Sequence, residues 1–186
     1  MTTGLIIGAV VLVVIIILIW FLSAYNSLVR LKNQIEKAWS NIEAALQQRH
    51  DELTKLVDSV KGYMKHEKET LNMVVQARNA FASAKTVKEK AKADKMMESA
   101  VRSVFAVVES YPNLKANENV TQLMNRISDI ENILADRREF YNDSVYSFNT
   151  RIEQIPYVFI ANMLHYTRKE PFKAEEEAKK DVKIEF

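Results

Sequence analysis

The sequence predicts an all-α protein: a single N-terminal transmembrane helix continuous with an antiparallel helical bundle of four main helices, two long and two short. Three observations carry the prediction. Residues 1–29 hold no charged side chain, and Leu5 to Leu22 form a run of 18 apolar residues. Beyond that run, apolar residues recur at alternating three- and four-residue steps, the period of one helix face. The 186 residues include only 3 Gly and 3 Pro, too few turn formers for many short strands.

The apolar run decides the class. At ~1.5 Å rise per residue it spans about 27 Å, close to the ~30 Å hydrocarbon core of a bilayer, and Trp20 and Phe21 lie where an interfacial aromatic belt would sit. A cleaved signal peptide would need a basic start and a small-x-small cleavage site. This chain starts Met-Thr-Thr-Gly and carries Leu22 where a small residue would be required for cleavage after Ala24. A buried core helix would rarely be apolar on every face for this length. The expected organisation is a short tail at 1–3, a transmembrane helix at 4–23, a helical bundle domain at 24–166 and a charged C-terminal tail at 167–186. Arg30, Lys32 and Lys37 follow the span while only the α-amino group precedes it. The positive-inside rule therefore predicts a single-pass protein of the cell (inner) membrane, N-terminus outside and bundle cytoplasmic.

In the first bundle helix the stripe passes through Leu28, Leu31, Ile35, Trp39, Ile42, Leu46, Arg49, Leu53, Leu56 and Val60, with Gly62 as its stop. No Gly or Pro falls between residues 9 and 61, so membrane helix and bundle helix are predicted to be one element. A break at Ser23 to Asn26 would contradict that. A second helix is expected from Met64 to Ala84, weakly bounded near Lys85, and a third from Lys88 to Ser110, ended by Tyr111-Pro112. The fourth runs from Asn117 through Val120, Leu123, Ile127, Ile130, Leu134, Arg137, Tyr141, Val145, Phe148 and Ile152 to Pro156. Short connections make neighbours antiparallel. Helices two and three then form a hairpin over the membrane-distal half, and the fourth returns Tyr141 to Ile152 beside Tyr25 to Val29. Residues 157–166 are apolar and have three possible uses: covering the two-helix stem, lying in the membrane interface, or receiving a neighbouring subunit. Residues 168–181 read as a solvated Lys/Glu-rich tail, and Val182, Ile184 and Phe186 alternate as a short strand would.

Composition excludes several functions. With 26 Lys+Arg against 24 Asp+Glu and no Cys, there is no basic excess for nucleic acid, no disulfide and no thiolate chemistry. Walker loops, dinucleotide fingerprints and nucleophile-plus-base spacings are absent. His50, His66 and Glu67 are the only metal candidates. On a continuous helix His50 and His66 would point about 160° apart, and His66-Glu67 lacks the second His of a zinc motif. No metal or other cofactor is expected, nor an enzyme.

The chain resembles the LemA family over essentially its whole length. The likeness rests on Tyr25-Asn26-Ser27-Leu28-Val29, Ala38-Trp39-Ser40, Arg49-His50-Asp51 and Val60-Lys61-Gly62-Tyr63 with His66-Glu67. It continues through Tyr111-Pro112-Asn113-Leu114-Lys115-Ala116-Asn117-Glu118 to Glu131, Arg137, Tyr141-Asn142, Val145, Asn149, Pro156 and Ala161. The chain departs from the family pattern at Gln48, where a second basic residue is usual. It departs again at Glu52-Leu53-Thr54-Lys55, where Ile-Pro-Asn is usual; losing that Pro favours a straighter first helix. The resemblance implies a bacterial membrane-anchored helical protein without established catalysis. It also implies a link to membrane organisation, some relatives being associated with specialised internal membranes and others with membrane-protein quality control.

The candidate polar network comprises Arg49, His50, Glu131, Arg137, Asn142 and Asn149. Arg49 and Arg137 each interrupt an apolar stripe. Each could lay its stem on the core with its head in water, or enter a buried network in which Arg49 meets Glu131 or Asp129 at matching height. Tyr25-Asn26-x-x-Val29 and Tyr141-Asn142-x-x-Val145 echo one another, each with a further Asn (Asn33, Asn149). Tyr25, Asn26, Asn33 and Tyr141 are therefore the candidate membrane-proximal contact. The functional expectation is a membrane-anchored scaffold or adapter that organises proteins or membrane through self-association. The alternative is an accessory or regulatory subunit of a membrane protease or transporter. Expected partners are the lipid bilayer, further copies in a homo-oligomer and unidentified membrane or cytoplasmic proteins, but not nucleic acid.

Overall fold

The computed structural model describes residues 2–173. Residues 174–186, which hold most of the Lys/Glu-rich tail and the alternating Val182, Ile184 and Phe186, lie outside the described residues. The elements are α1 (Thr2–Val60), α2 (Lys68–Ser83), α3 (Val87–Ser110), α4 (Pro112–Lys115), α5 (Glu118–Glu153) and α6 (Tyr157–Met163), with a 3-10 turn at Met64–His66. No strand occurs among the described residues. The chain is all-α, with two long and two shorter main helices. α1 runs through Ser23 to Asn26 without a break.

The described residues divide into two compact units. Unit 1 combines residues 1–39 with residues 140–169. In it α1 changes character. From Thr2 to Trp20 every side chain is exposed, whereas from Ala24 onward burial follows a single face through Leu28, Ile35 and Ala38. Tyr141, Val145, Phe148 and Ile152 of α5 are buried with it, as are Ile160 and Ala161 of α6. The α1 and α5 segments run antiparallel. The Trp39 and Tyr141 rings lie 5.6 Å apart at a tilt of 55°, and Gln34 donates to the Ser144 hydroxyl at 3.1 Å.

Unit 2 combines residues 40–139 with the segment that begins at Glu170. Its core is the predicted stripe: Ile42, Leu46, Leu53, Leu56 and Val60 of α1, and Val120, Ile127, Ile130 and Leu134 of α5. α2 adds Val74, Ala77 and Phe81, and α3 adds Met97, Val101, Val104 and Val108. α2 and α3 pack as a hairpin, tied across by Thr70 and Ser103 hydroxyls 2.8 Å apart.

The boundaries have local causes. α2 starts four residues later than the periodicity predicts. Met64 is buried within the 3-10 turn, and Glu67, at φ −92° and ψ 52°, leaves helical geometry before α2 begins. The α2–α3 break is sharper than expected. Thr86 accepts from the Glu89 amide at 3.2 Å while the Glu89 carboxylate accepts from the Thr86 amide at 3.0 Å, a reciprocal capping box. Pro112 opens α4 where its missing N–H costs nothing. Asn117 caps α5 by accepting from the Asn119 and Val120 amides at 3.0 and 3.2 Å. One further difference concerns the predicted solvated tail: Phe172, inside it, is buried, with the Arg138 guanidinium 5.8 Å from its ring centre.

Because the capping box satisfies two orphan donors at once, Thr86→Ala should lower unfolding free energy by about 1 kcal/mol. The same change should speed hydrogen exchange at the Glu89 amide, read by mass spectrometry.

Candidate functional site

An arginine in the middle of a helical core is the least expected feature of unit 2. Arg49 occupies a stripe position between Leu46 and Leu53 and is 1% exposed. A buried guanidinium is tolerable only where its donors are met and its charge balanced. Other helices balance the charge and take up donors of both terminal nitrogens, leaving Nε buried without a hydrogen-bond partner among the described residues. Its Nη1 donates to Glu131 Oε1 of α5 at 2.6 Å. Its Nη2 donates to the Asp94 carboxylate of α3 and, at 3.2 Å, to the Asp94 main-chain carbonyl. Asp94 is 4% exposed, and its second oxygen pairs with Nη2 of Arg138 at 2.6 Å. Glu131 and Arg138 are seven residues apart on α5 and so share a face. Two cations and two carboxylates thus alternate across three helices, with charges that cancel.

Burial pushes the Asp94 carboxyl above its usual 3.8, with Glu131 adding to the rise and Arg49 and Arg138 opposing it. Since the folded value is the higher one, Asp94 takes up a proton on folding between the two values. Its contribution to stability therefore falls as pH rises through that interval and is level above it.

The other predicted residues lie elsewhere. His50 turns from the cluster: its ring stacks on Phe81 at 5.3 Å and approaches Asp51 Oδ1 at 3.1 Å. The Asp51 carboxyl is held below its usual range, first by that His50 bond. Arg137 donates to the Asn41 carbonyl at 2.6 Å; its neighbour Arg138 is the residue that reaches Asp94. Asn142 is half-buried in unit 1. Asn149 is buried there and bonds the Lys169 backbone twice, accepting from its N–H at 2.8 Å and donating to its carbonyl at 2.9 Å. Tyr141 packs on Trp39, about 21 Å along α1 from Tyr25, and Tyr25, Asn26 and Asn33 are exposed. In this antiparallel register the two Tyr-Asn echoes do not meet each other; Asn149 comes level with the residues around Arg30. Asp94 and Arg138 were not singled out by the sequence reading. Asp94 had a signal, since it stands between Ala91 and Met97 at stripe spacing.

Among the described residues, no group of three or more His, Asp or Glu is placed to hold a metal ion. The cluster is a closed ionic joint between helices.

Residues 38–186 match the LemA family. The chain belongs to that family. Protein LemA of Metamycoplasma hominis is 33% identical over 128 residues, which cover 68% of this chain and 58% of that relative. Magnetosome protein MamQ 2 of Paramagnetospirillum magneticum is 30% identical over 73 residues. Magnetosome protein MamQ of Magnetospirillum gryphiswaldense is 29% identical over 73. Each of these two matches covers 39% of this chain and 27% of the relative. The matches thus cover less than two thirds of these relatives' lengths, 58% of the LemA protein and 27% of the MamQ proteins. The family match contains the whole Arg49 cluster but begins after the apolar run. Within α1 that run reaches a mean hydropathy of 3.5 with none of it buried, making α1 long and apolar enough to cross a membrane. Family, relatives and apolar helix together describe a membrane-associated helical protein.

Removing the hub of a buried charge cluster leaves its partners uncompensated. Arg49→Met should cost about 3–5 kcal/mol. Glu131→Gln should cost only about 1–2 kcal/mol, because a quarter of the Glu131 side chain reaches water. Melting the detergent-solubilised variants tests the ranking, and equal losses would show that Arg49 is not the hub. In unit 1, Asn149→Ala should remove about 1–3 kcal/mol and speed amide exchange at Lys169 more than at Val145.

Proposed function

We propose that this LemA-family protein is a membrane-anchored scaffold or adapter, which organises proteins or membrane by presenting helix surfaces to other proteins and to further copies of itself. The observation that carries the reading is the closure of the Arg49 cluster. The buried charges of the cluster face each other between helices, so it offers no reactive group outward, and what unit 2 presents is helix surface. Tyr63, Val75 and Ile133 stand exposed on it, and exposed apolar side chains are the raw material of association. The apolar run of α1 supports a single-pass anchor in the inner membrane. Arg30, Lys32 and Lys37, following that run closely, support a cytoplasmic bundle with the N-terminus outside. The relatives named as magnetosome proteins support a role in organising membrane.

The full chain extracted into mild detergent tests self-association directly. Light scattering coupled to size exclusion should give a homogeneous protein mass that is a multiple of 21.5 kDa. A monomer across the micromolar range would count against the scaffold and favour an accessory subunit of a membrane protease or transporter.

A further inference from the structure

Unit 1 has a second apolar surface, and the chain itself fixes its height relative to α1. The pairings of Trp39 with Tyr141 and of Gln34 with Ser144 set the antiparallel register. Carried to the end of α5, that register brings Glu153 level with about Asn26 of α1. The turn Gln154–Pro156 and α6 follow directly, and the chain then doubles back along α5. Tyr166 packs on Phe148 at 5.6 Å, Arg168 pairs with Glu153, and Lys169 is held by Asn149. α6 therefore starts level with the stretch of α1 just past Leu22. Ala24, buried between exposed Ser23 and Tyr25, is the first α1 residue covered there.

One face of α6 closes inward through Ile160 and Ala161. The other does not. Phe159 and Met163, one turn apart on it, are 68% and 56% exposed, and Ile155, in the turn before α6, is 80% exposed. Only about 6 Å of helix separates Leu22 from Asn26, which is the thickness of one headgroup layer, ~5–8 Å. Charge agrees with that position. Residues 1–39 and 140–169 hold six cationic residues (Arg30, Lys32, Lys37, Arg151, Arg168, Lys169) against three anionic ones (Glu36, Asp143, Glu153). The remainder of the sequence is slightly acidic.

We infer that Ile155, Phe159 and Met163 bed into the headgroup–acyl boundary of the bilayer that α1 crosses, with the surrounding basic side chains meeting anionic lipid headgroups. The bilayer is the occupant because the register sets the start of α6 level with the end of the apolar run of α1. An apolar face at that height, on a unit of net positive charge, has the make-up of an interfacial helix. The contact gives unit 1 a second foothold, so the protein meets the membrane as an area rather than at one point. This rests on α1 spanning the bilayer, part of the reading proposed above, and the experiment separates the two.

The chain has no Cys, so single cysteines can be placed and labelled cleanly. Phe159→Cys and Met163→Cys report on the α6 face. Ile15→Cys reports on the span. Tyr146→Cys is an exposed control on α5, about 10 Å farther from Leu22 along the register. Each full-length variant is labelled with an environment-sensitive fluorophore and reconstituted into phosphatidylethanolamine–phosphatidylglycerol vesicles. Circular dichroism first checks that helicity matches the parent. Labels at 159 and 163 should be quenched severalfold more by brominated lipid than the label at 146, and shielded from iodide, while 146 shows the reverse. Iodide quenching at 159 and 163 equal to that at 146 would overturn the inference. So would shielding from iodide without quenching by brominated lipid, which would mean that protein covers the face. If 15 is quenched by lipid and 159 is not, only this inference fails; if 15 is not, the anchor reading fails with it.

Discussion

A guanidinium with five donors and a permanent charge sits where Leu46 and Leu53 would lead one to expect another aliphatic residue, and unit 2 is arranged around that demand. An unpaired charge at this depth would cost more than the surrounding apolar contacts could offset. α3 and α5 must therefore each deliver a carboxylate to the same point. The Arg49–Glu131 bond fixes how far α5 is slid along α1 within unit 2, and the Arg137 bond to the Asn41 carbonyl repeats that offset two turns away. Asp94 fixes α3 in turn. Delivering two carboxylates to one arginine leaves a negative excess, which Arg138 removes. We read the cluster as a device for register more than for net stability. Apolar stripes of Leu, Ile and Val tolerate a one-turn slide far better than a set of four interlocked charges does.

Unit 1 solves the same problem without buried charge. Between α1 and α5 it relies on the Trp39–Tyr141 pair and the Gln34–Ser144 bond, both of which tolerate contact with water at their edges. Its one buried amide, Asn149, binds the N–H and the carbonyl of Lys169 as a neighbouring strand would. That arrangement satisfies main-chain groups in a segment without secondary structure of its own. It also explains how residues 164–169 keep a fixed course after α6 ends. If unit 1 meets a bilayer as proposed, where the dielectric changes steeply over a few ångströms, a neutral polar joint is less sensitive to depth than an ion pair.

The helices were legible because their signal is periodic and long, and a 3.6-residue stripe sustained from Leu28 to Val60 admits little else. What the stripe could not convey is which exceptions to it matter. Arg49 and Glu131 stood out as stripe residue and height-matched partner. Asp94 did not, because α3 is short, rich in Ala and Lys, and reads equally well with Asp94 at the edge. Arg137 drew notice by sitting on the stripe, yet a long flexible side chain on the adjacent residue, Arg138, makes the ion pair. Sequence position locates a Cα, not the head of an arginine. The α2–α3 boundary was readable in principle. Thr86-x-x-Glu89 is the capping-box pattern, hidden by the absence of Gly or Pro around it. Antiparallel helices bring a residue opposite a fixed sum of positions, which sets Asn149 level with the residues around Arg30 and Tyr141 level with Trp39.

The continuity of α1 through Ser23 to Asn26 follows from hydrogen-bond accounting. Ending a helix there and starting another would leave four amides and four carbonyls without intrahelical partners beside an apolar run. Capping them would need residues such as Ser23 and Asn26 to turn inward. Continuing the helix leaves none unsatisfied and lets those side chains stay exposed, as they are. The boundary between the exposed apolar stretch of α1 and its protein-facing stretch can then be written in side chains alone. Apolar residues on every face up to Leu22 give way, within two residues, to a single buried face beginning at Ala24. Ala24 is small enough to admit a close neighbour at the first turn after the apolar run. A larger residue there would hold the rest of unit 1 away from α1 at the height where its packing begins.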